Sequence, residues 1–185
     1  MWFQPLSLLD IDFYYRQNRE LQRLKEASCP CPYATIPFNT SKSAIALFLA
    51  EVLHLSLREE ESNQALFSFL YNAFQLLDAC EEGTSNFHLW FMLHFSRFIG
   101  ILPVASEVSA GIAASSDMQL FSQLPAEAAE ALSALMIYPW GPSGDLKLSG
   151  KNRYLLLDRI IRYYALHIEG FSRLKSFAVL REVFS

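Results

Sequence analysis

The sequence has few cysteines, glycines and prolines, and each shortage limits what the chain can be. Its three cysteines, Cys29, Cys31 and Cys80, form an odd set without regular spacing. Such a set argues against a disulfide framework and indicates a reducing compartment. Seven glycines and eight prolines in 185 residues are too few turn-forming residues for an all-β chain. The composition therefore predicts a mostly α-helical globular protein.

Long apolar runs are also missing. The two most apolar segments, 44–57 and 87–102, are shorter than the roughly 20 residues of a membrane span, and both contain charged or histidine side chains. Asp10 and Asp12 interrupt the first apolar run and no basic region precedes it, so a cleavable signal peptide is not predicted. We therefore expect a cytoplasmic protein without a membrane partner.

No motif for catalysis, metal binding or phosphate binding stands out. His88 and His94 are six residues apart, nearly opposite on a helix, so core positions explain them better than metal ligation. No Gly-rich phosphate loop follows a strand, and no nucleophile elbow is found. The glutamates at 59–61 are explained by a solvated helix end. We expect neither an enzyme nor a bound metal or other cofactor.

Positive charge is scarce except near the C-terminus. Residues 1–140 hold 7 Lys and Arg against 15 Asp and Glu, whereas residues 141–185 hold 8 against 4. Six of these cations, the basic cluster, are candidates for DNA binding because cations neutralise phosphates and the neighbouring tyrosines can stack on bases. The alternative is a helix face that provides only solubility. The basic cluster consists of Lys151, Arg153, Arg159, Arg162, Arg173 and Lys175.

Helical periodicity predicts the main elements of the chain. The clearest helix runs from Asn39 to Glu61, and its apolar surface is so wide that other helices must cover it. Asn39, Thr40 or Ser41 can cap it. Further helices are predicted from Ser62 or Asn63 to about Cys80, from Thr84 or Ser85 to Gly100, over 126–136 and 152–167, and from Ser176 onward. In the helix over 152–167, Tyr154, Leu155, Ile161, Tyr164 and Ala165 are predicted to point inward.

Extended structure is predicted at two places. From Leu9 to Tyr15 apolar and polar residues alternate, which predicts a strand. Glu20 to Ala27 is a candidate returning strand, although the spacing of Leu21 and Leu24 equally suits a helical turn. An isolated ribbon is marginal in water, so we expect it to pack on the helices or to pair with a second copy. A short strand is predicted at Met118 to Phe121 within an otherwise irregular segment. The fold class is thus about five to seven packed helices after a short antiparallel ribbon.

The order of several blocks resembles the RecO family of bacterial recombination mediators. The blocks are FQPLSLLDIDFYY with RELQRLKEA, PFNTSKSAIALFLAEVLHLSLREEESNQALFSFLYNAFQLLD, FHLWFMLHFSRFIGILP, and RYYALHIEGFSRLKSFAVLREVF. The resemblance implies an N-terminal OB barrel and a helical C-terminal domain. Residues 1–28 would be the last strands of the barrel, without roughly three preceding strands, and residues 29–185 the helical domain. Some relatives carry a four-cysteine zinc module, whereas residues 103–122 contain no cysteine.

The resemblance also implies function and partners. RecO proteins bind single-stranded and double-stranded DNA, anneal strands without ATP, and load the RecA recombinase together with RecR. Contact with RecR is in question for a chain that lacks a full barrel. The acidic, apolar-ended tail of single-stranded DNA-binding protein (SSB) docks on the helical domain. The competing hypothesis is a helical adaptor that binds only proteins.

A site for the SSB tail is predicted on the third helix. Such a ligand needs an apolar pocket for its terminal side chains and cations for its carboxylates. The third helix has more aromatic residues than one inward face requires, although a core role explains any one of them at least as well. The candidates are Trp90, Phe91 and Phe95 as lining, with Lys42, His88 and Arg97 at the rim.

Overall fold

The computed structural model describes residues 4–19, 21–57, 62–81, 83–103, 119–140 and 146–184. In these ranges two antiparallel strands precede seven α-helices, which confirms the predicted fold class. The strands are β1 (Asp10–Tyr14) and β2 (Arg23–Ser28). The helices are α1 (Thr40–Ser56), α2 (Gln64–Ala79), α3 (Phe87–Phe95), α4 (Gln119–Ser122), α5 (Ala126–Ile137), α6 (Gly150–His167) and α7 (Ser176–Phe184).

Two helices begin at the side-chain caps that the sequence predicts. The side chain of Asn39 accepts a hydrogen bond from the backbone N–H of Lys42 at 3.1 Å, and Asn63 accepts one from Leu66 at 2.9 Å. Each cap satisfies one of the backbone donors left free in the first turn. The predicted charged end of the first helix, residues 58–61, lies outside the described residues.

The ribbon forms as predicted, and its residues are mostly exposed. Asp10 pairs with Ser28 and Tyr14 with Arg23, with one register irregularity next to Asp12. Every residue of β1 is exposed, and β2 is nearly as open. Leu6, which precedes the ribbon, links this part of the chain to the helices. Its side chain packs against the helical core, and its carbonyl accepts a 2.6 Å hydrogen bond from the Tyr33 hydroxyl. Pairing of the ribbon with a second copy stays a prediction.

Helix α3 is the centre of the core. All of its residues are buried except His94, which is half-buried. It packs against α1, α5 and α6, and α2 covers it through contacts between the aromatic rings of Phe69, Phe74 and Phe91. A helix that is apolar all round is stable only when neighbours surround it. The buried Tyr164 hydroxyl also donates a 2.6 Å hydrogen bond to the carbonyl of Met92, which joins α6 to α3.

Two local predictions are wrong. The strand predicted at Met118 to Phe121 is instead the single helical turn α4 over its described part, because Phe121 docks its ring 5.6 Å from Tyr163. So short an apolar pattern does not distinguish a strand from a helical turn. In α6 the buried face differs in part from the predicted one. Tyr164 is buried as predicted and Leu155 and Ile161 are half-buried, but Tyr154 and Ala165 are exposed. The other buried positions are Leu156, Leu157, Ile160 and Tyr163.

A bracket of hydrogen bonds holds the connector between the ribbon and α1. The carboxylate of Asp78, near the end of α2, accepts hydrogen bonds of 2.8 Å from the backbone N–H groups of Ala34, Thr35 and Ile36. Burial acts to raise the pKa of Asp78, but these three bonds and a fourth from the Thr35 hydroxyl outweigh it and hold the pKa below the usual 3.8. The connector is therefore fastened to α2 by an ionised carboxylate.

Candidate functional site

The residues predicted to bind a peptide on α3 lie almost entirely in the core. Trp90 is 7% exposed, and Phe91 and Phe95 are fully buried. Phe91 is surrounded by other rings, with centroids 5.4 Å from Phe69 and 5.8 Å from Phe95. These side chains do not form the exposed groove expected on this helix, because α2 and α5 cover the faces that the surplus aromatics occupy.

Two of the predicted rim cations have structural partners. Lys42 is buried, and its Nζ donates 2.7 Å hydrogen bonds to the hydroxyl of Thr35 and the carbonyl of Asp78, so it belongs to the bracket around the connector. Arg97 is exposed and donates a 2.9 Å hydrogen bond to the carbonyl of Met136. A cation at the end of α5 suits the negative end of the helix dipole. Any role of Lys42 and Arg97 in peptide binding stays a prediction.

The structure spreads the basic cluster along α6 and the turn that follows it. Arg162 forms a 2.9 Å ion pair with Asp158, one helical turn earlier. The backbone N–H of Lys175 donates to the carboxylate of Glu51. Lys151 and Arg173 have exposed side chains at opposite ends of this stretch. The cluster therefore extends from the first turn of α6 to the residue before α7, and Asp158 already balances the charge of Arg162.

Arg153 differs from the other cations because its guanidinium is turned inward. Its Nε donates a 3.0 Å hydrogen bond to Oδ1 of Asn86, and a second nitrogen donates at 2.8 Å to the carbonyl of Leu148. Both acceptors are neutral, and Arg153 has no carboxylate partner among the described residues. Burial lowers the pKa of Arg153, yet an arginine remains charged at physiological pH. A half-buried positive charge is thus left uncompensated.

A mostly apolar groove opens between the first turns of α6 and the last helix, α7. Its volume is about 290 Å³. The rings of Tyr154 and Phe177 stack at 5.4 Å, and the guanidinium of Arg181 lies 5.3 Å from the centroid of Tyr154. The lining residues are His88, Gly150, Lys151, Arg153, Tyr154, Leu157, Phe177, Leu180, Arg181 and Phe184.

The charge of the groove has one sign. Lys151, Arg153 and Arg181 contribute three cations, and the described lining includes no acidic residue. Apolar walls exclude water, so a charge that enters the groove is less screened than one on an open surface. The arrangement suits a ligand that combines apolar side chains with carboxylates.

His88 contributes a buried polar group to this groove. Its side chain is 1% exposed, and its Nδ1 has no hydrogen-bond partner among the described residues. The ring lies between Phe48, 6.1 Å away, and Phe184, 5.7 Å away. Burial, assisted by the positive charge of Arg153, lowers the pKa of His88 to about 3. His88 is therefore neutral at physiological pH.

Glu51 on α1 holds α7 in the position where it walls the groove. Its carboxylate accepts hydrogen bonds from the backbone N–H groups of Lys175 at 3.0 Å and Ser176 at 2.7 Å. These groups belong to the free donors at the start of α7, so Glu51 caps the helix from another element. The sequence predicted the start of this helix at Ser176 but not the residue that caps it.

The groove was missed at the sequence level because three distant segments build it. His88 comes from α3, Lys151 to Leu157 from α6, and Phe177 to Phe184 from α7. Of the lining residues, the sequence assigned Lys151 and Arg153 to the basic cluster. It assigned His88 to the peptide site predicted on the third helix. The available signal was Tyr154, an aromatic residue of α6 that follows Arg153 directly in the sequence and lines the groove.

The described part of the chain contains neither a cluster of metal ligands nor a membrane-spanning helix. No three side chains of His, Cys, Asp or Glu come together in a way that could hold a metal ion there. Within the same ranges, no helix has both the length and the apolar character needed to cross a membrane.

Comparisons with known proteins give consistent matches. A family model described as "Recombination protein O C terminal" matches residues 37–177. The DNA repair protein RecO of Bacteroides fragilis is 38% identical over 192 residues, which cover 98% of this chain and 79% of that protein. The protein of the same name from Phocaeicola vulgatus is 37% identical over 191 residues, covering 99% and 79%. The one from Flavobacterium psychrophilum is 34% identical over 191 residues, covering 100% and 79%.

Proposed function

The chain belongs to the RecO family of DNA repair proteins, and from that premise we propose that it is a non-enzymatic recombination mediator whose helical domain binds the tail of SSB in the groove between α6 and α7. Annealing of DNA, loading of RecA and contact with RecR are parts of the same proposal. The observation that carries it is the groove itself, which combines apolar walls with cations and no acidic lining among the described residues.

The groove matches the chemistry of an acidic peptide with an apolar end. Leu157, Leu180 and Phe184 provide a surface for apolar side chains, and burial of one such side chain contributes about 1.5–3 kcal/mol. Lys151 and Arg181 are exposed at the mouth of the groove, where they can meet the acidic residues of the peptide. This position replaces the face of α3 as the proposed docking site.

We expect a fluorescently labelled SSB tail peptide to bind with a Kd in the micromolar range, or about −8 kcal/mol, and to bind more weakly as salt is added. The double charge reversal Lys151→Glu and Arg181→Glu should weaken binding by at least about tenfold, because it places like charges next to the peptide carboxylates. Fluorescence anisotropy at two salt concentrations measures both effects.

The matched control is Arg16→Glu, which reverses an exposed charge on the ribbon turn outside the groove. It should leave the affinity within about twofold. Absence of binding by the unaltered protein at low salt would remove SSB recognition from this domain, and equal losses for both variants would show that only net charge matters.

Binding of DNA is proposed for the basic cluster. Lys151, Arg159 and Arg173 have no carboxylate partner among the described residues, whereas Arg162 is paired with Asp158. With few free cations, affinity should be weak and independent of sequence, because phosphate contacts carry no sequence information. The adaptor alternative predicts no DNA binding at all.

Changing Arg159 and Arg162 together to alanine should weaken binding alike for all DNA sequences and lower the slope of log affinity against log salt by about 2. Each arginine that neutralises one phosphate contributes about 0.9 to that slope. A salt titration with a short duplex and a single strand measures it, and Arg16→Ala with Arg19→Ala serves as the matched control. An unchanged slope would assign the cluster to solubility and favour the adaptor.

A further inference from the structure

We propose that Glu51, which lies outside the groove, is a positioning residue for peptide binding, because it fixes the rotation of α7 that turns the lining side chains toward the groove. The inference rests on the proposed function, which places a peptide tail in the groove. It adds a residue of α1 that controls the affinity without touching the ligand. In this role a carboxylate strengthens the binding of an acidic peptide, although its own charge repels one.

Helix α7 presents two different sides to its neighbours. Its residues that line the groove are Phe177, Leu180, Arg181 and Phe184. They follow the spacing i, i+3, i+4 and i+7 of a single helix face. Ser176 and Val179 fall on another side of the helix, where they border a shallow depression against α1 that Glu51 also lines. None of the described residues lines both the groove and this depression.

The start of α7 takes its hydrogen-bond acceptor from another element. Lys175 precedes the first residue of the helix, and its side chain has donors but no acceptor, so it cannot cap the helix itself. Glu51 takes this place with both carboxylate oxygens. Oε1 accepts from the backbone N–H of Lys175 at 3.0 Å, and Oε2 accepts from that of Ser176 at 2.7 Å. Two bonds from one planar group to consecutive N–H groups fix both the position and the rotation of the first turn.

Helix α7 is too short to keep this rotation by itself. It has nine residues, and isolated helices shorter than about 12–15 residues are marginal in water. Its ring contacts, between Phe177 and Tyr154 at 5.4 Å and between Phe184 and His88 at 5.7 Å, are made by the groove lining itself. Without the bonds to Glu51 the helix samples other rotations, and only the fraction with the lining turned inward binds the peptide.

Glu51 has the charge that this role requires. Burial acts to raise its pKa, but the hydrogen bonds from Ser176 and Lys175 and the positive charge of Lys175 outweigh it and hold the pKa below the usual 4.5. Glu51 is therefore ionised at physiological pH. A charged acceptor forms shorter and stronger hydrogen bonds than a neutral one, so the ionised carboxylate holds the first turn most firmly.

Electrostatics alone predicts the opposite effect of the same residue. The groove has three cations in its lining, and a carboxylate on the next element lowers the positive potential that an acidic peptide meets. If Glu51 acted only through its charge, removing it would tighten binding. The positioning role predicts weaker binding, so the sign of the change distinguishes the two.

The test measures the affinity of the labelled SSB tail peptide by fluorescence anisotropy, with circular dichroism to verify that each variant is folded. We expect Glu51→Ala to bind about threefold to fivefold more weakly, because loss of a helix cap corresponds to about fivefold in an equilibrium constant. Glu51→Gln keeps one acceptor oxygen and should bind with an affinity between those of Glu51→Ala and the unaltered protein. The matched control Glu130→Gln removes an exposed carboxylate of α5 and should leave the affinity unchanged or slightly higher.

Hydrogen exchange in the unaltered protein gives an independent readout. Exchange of the backbone N–H groups of Lys175 and Ser176, followed by NMR, should slow when the peptide saturates the groove, because coupling between two sites is reciprocal. Neither residue lines the groove, so the peptide does not cover these groups directly. This measurement decides the question even if Glu51→Ala fails to fold.

The outcomes separate this inference from the proposed function. Unchanged or tighter binding by folded Glu51→Ala would overturn the positioning role and leave tail binding intact, and so would unchanged exchange at Lys175 and Ser176. Equal losses for Glu51→Gln and Glu130→Gln would also overturn it, because any lost carboxylate would then have the same effect. Absence of binding by the unaltered protein would overturn the proposed function and, with it, this inference.

Discussion

Replacing Phe91 by alanine should lower the free energy of unfolding by about 3–5 kcal/mol, which is the usual cost of removing a fully buried aromatic ring. Phe91 is 0% exposed, and its ring lies within 6.5 Å of those of Phe69, Phe74, Phe87 and Phe95. The variant leaves a cavity that these neighbours fill only in part. Urea unfolding followed by circular dichroism measures the loss.

Phe67→Ala is the matched control, because Phe67 is also a helical phenylalanine but is 57% exposed. It should cost about 1 kcal/mol or less, since most of its ring surface is in water in the folded state. Similar losses for the two variants would contradict the buried position of Phe91. A small loss for Phe91→Ala, together with weaker peptide binding, would return this residue to the peptide site predicted from the sequence.

The pattern of apolar residues was sufficient to predict most helices and their starts. Asn39 and Asn63 are short polar residues just before apolar periodic runs, and both cap the helices that follow. Helix α3 is the clearest case in which the sequence pattern predicted a position in the fold. Its aromatics point in nearly every direction, which indicated a central position, and the structure buries it almost completely.

The same property of α3 explains why an exposed groove was expected on this helix and is not found there. A surplus of aromatic residues on a helix is equally compatible with an exposed groove and with neighbours on every side, and the sequence alone does not contain the positions of those neighbours. Phe69 and Phe74 on α2 cover Phe91. The groove that does form depends on contacts between α6 and α7, which no local period encodes.

Charged residues were the least predictable group. Lys42 and Asp78 look like ordinary surface charges, since each belongs to a helix with other polar positions nearby. Their partners are separated from them in the chain. Asp78 binds backbone groups more than 40 residues away, and Lys42 binds the carbonyl of Asp78 36 residues away. A side chain that bonds to distant backbone leaves no periodic signal in the sequence.

The second large effect is expected at this bracket, where Asp78→Ala should lower the free energy of unfolding by about 2–4 kcal/mol. The change removes a charged acceptor from the N–H groups of Ala34, Thr35 and Ile36. Hydrogen bonds to a charged group contribute about 1.5–3 kcal/mol each, but exposed N–H groups regain part of this from water. Ile36 is buried, so its N–H has the least access to water.

Two matched variants separate charge from hydrogen bonding. Asp78→Asn keeps one acceptor oxygen without the charge and should cost about half as much as Asp78→Ala. Asp158→Asn removes a carboxylate whose partner Arg162 is mostly exposed, and such a surface pair contributes about 0–1 kcal/mol. Comparable losses at Asp78 and Asp158 would contradict the bracket as a fastening of the connector.

The pH dependence of the free energy of unfolding tests whether the negative charge of Asp78 stabilises the fold. The pKa of Asp78 is below its usual 3.8 in the folded protein, so the folded state favours the ionised form and gains stability that is fully present above about pH 4. That gain is lost as pH falls through the folded pKa and Asp78 takes up a proton. The stability difference between the unaltered protein and Asp78→Asn should therefore be constant from about pH 5 to pH 8 and shrink below about pH 4. A difference that stays constant into acid would show that Asp78 fastens the connector through its shape and hydrogen bonds, without its charge.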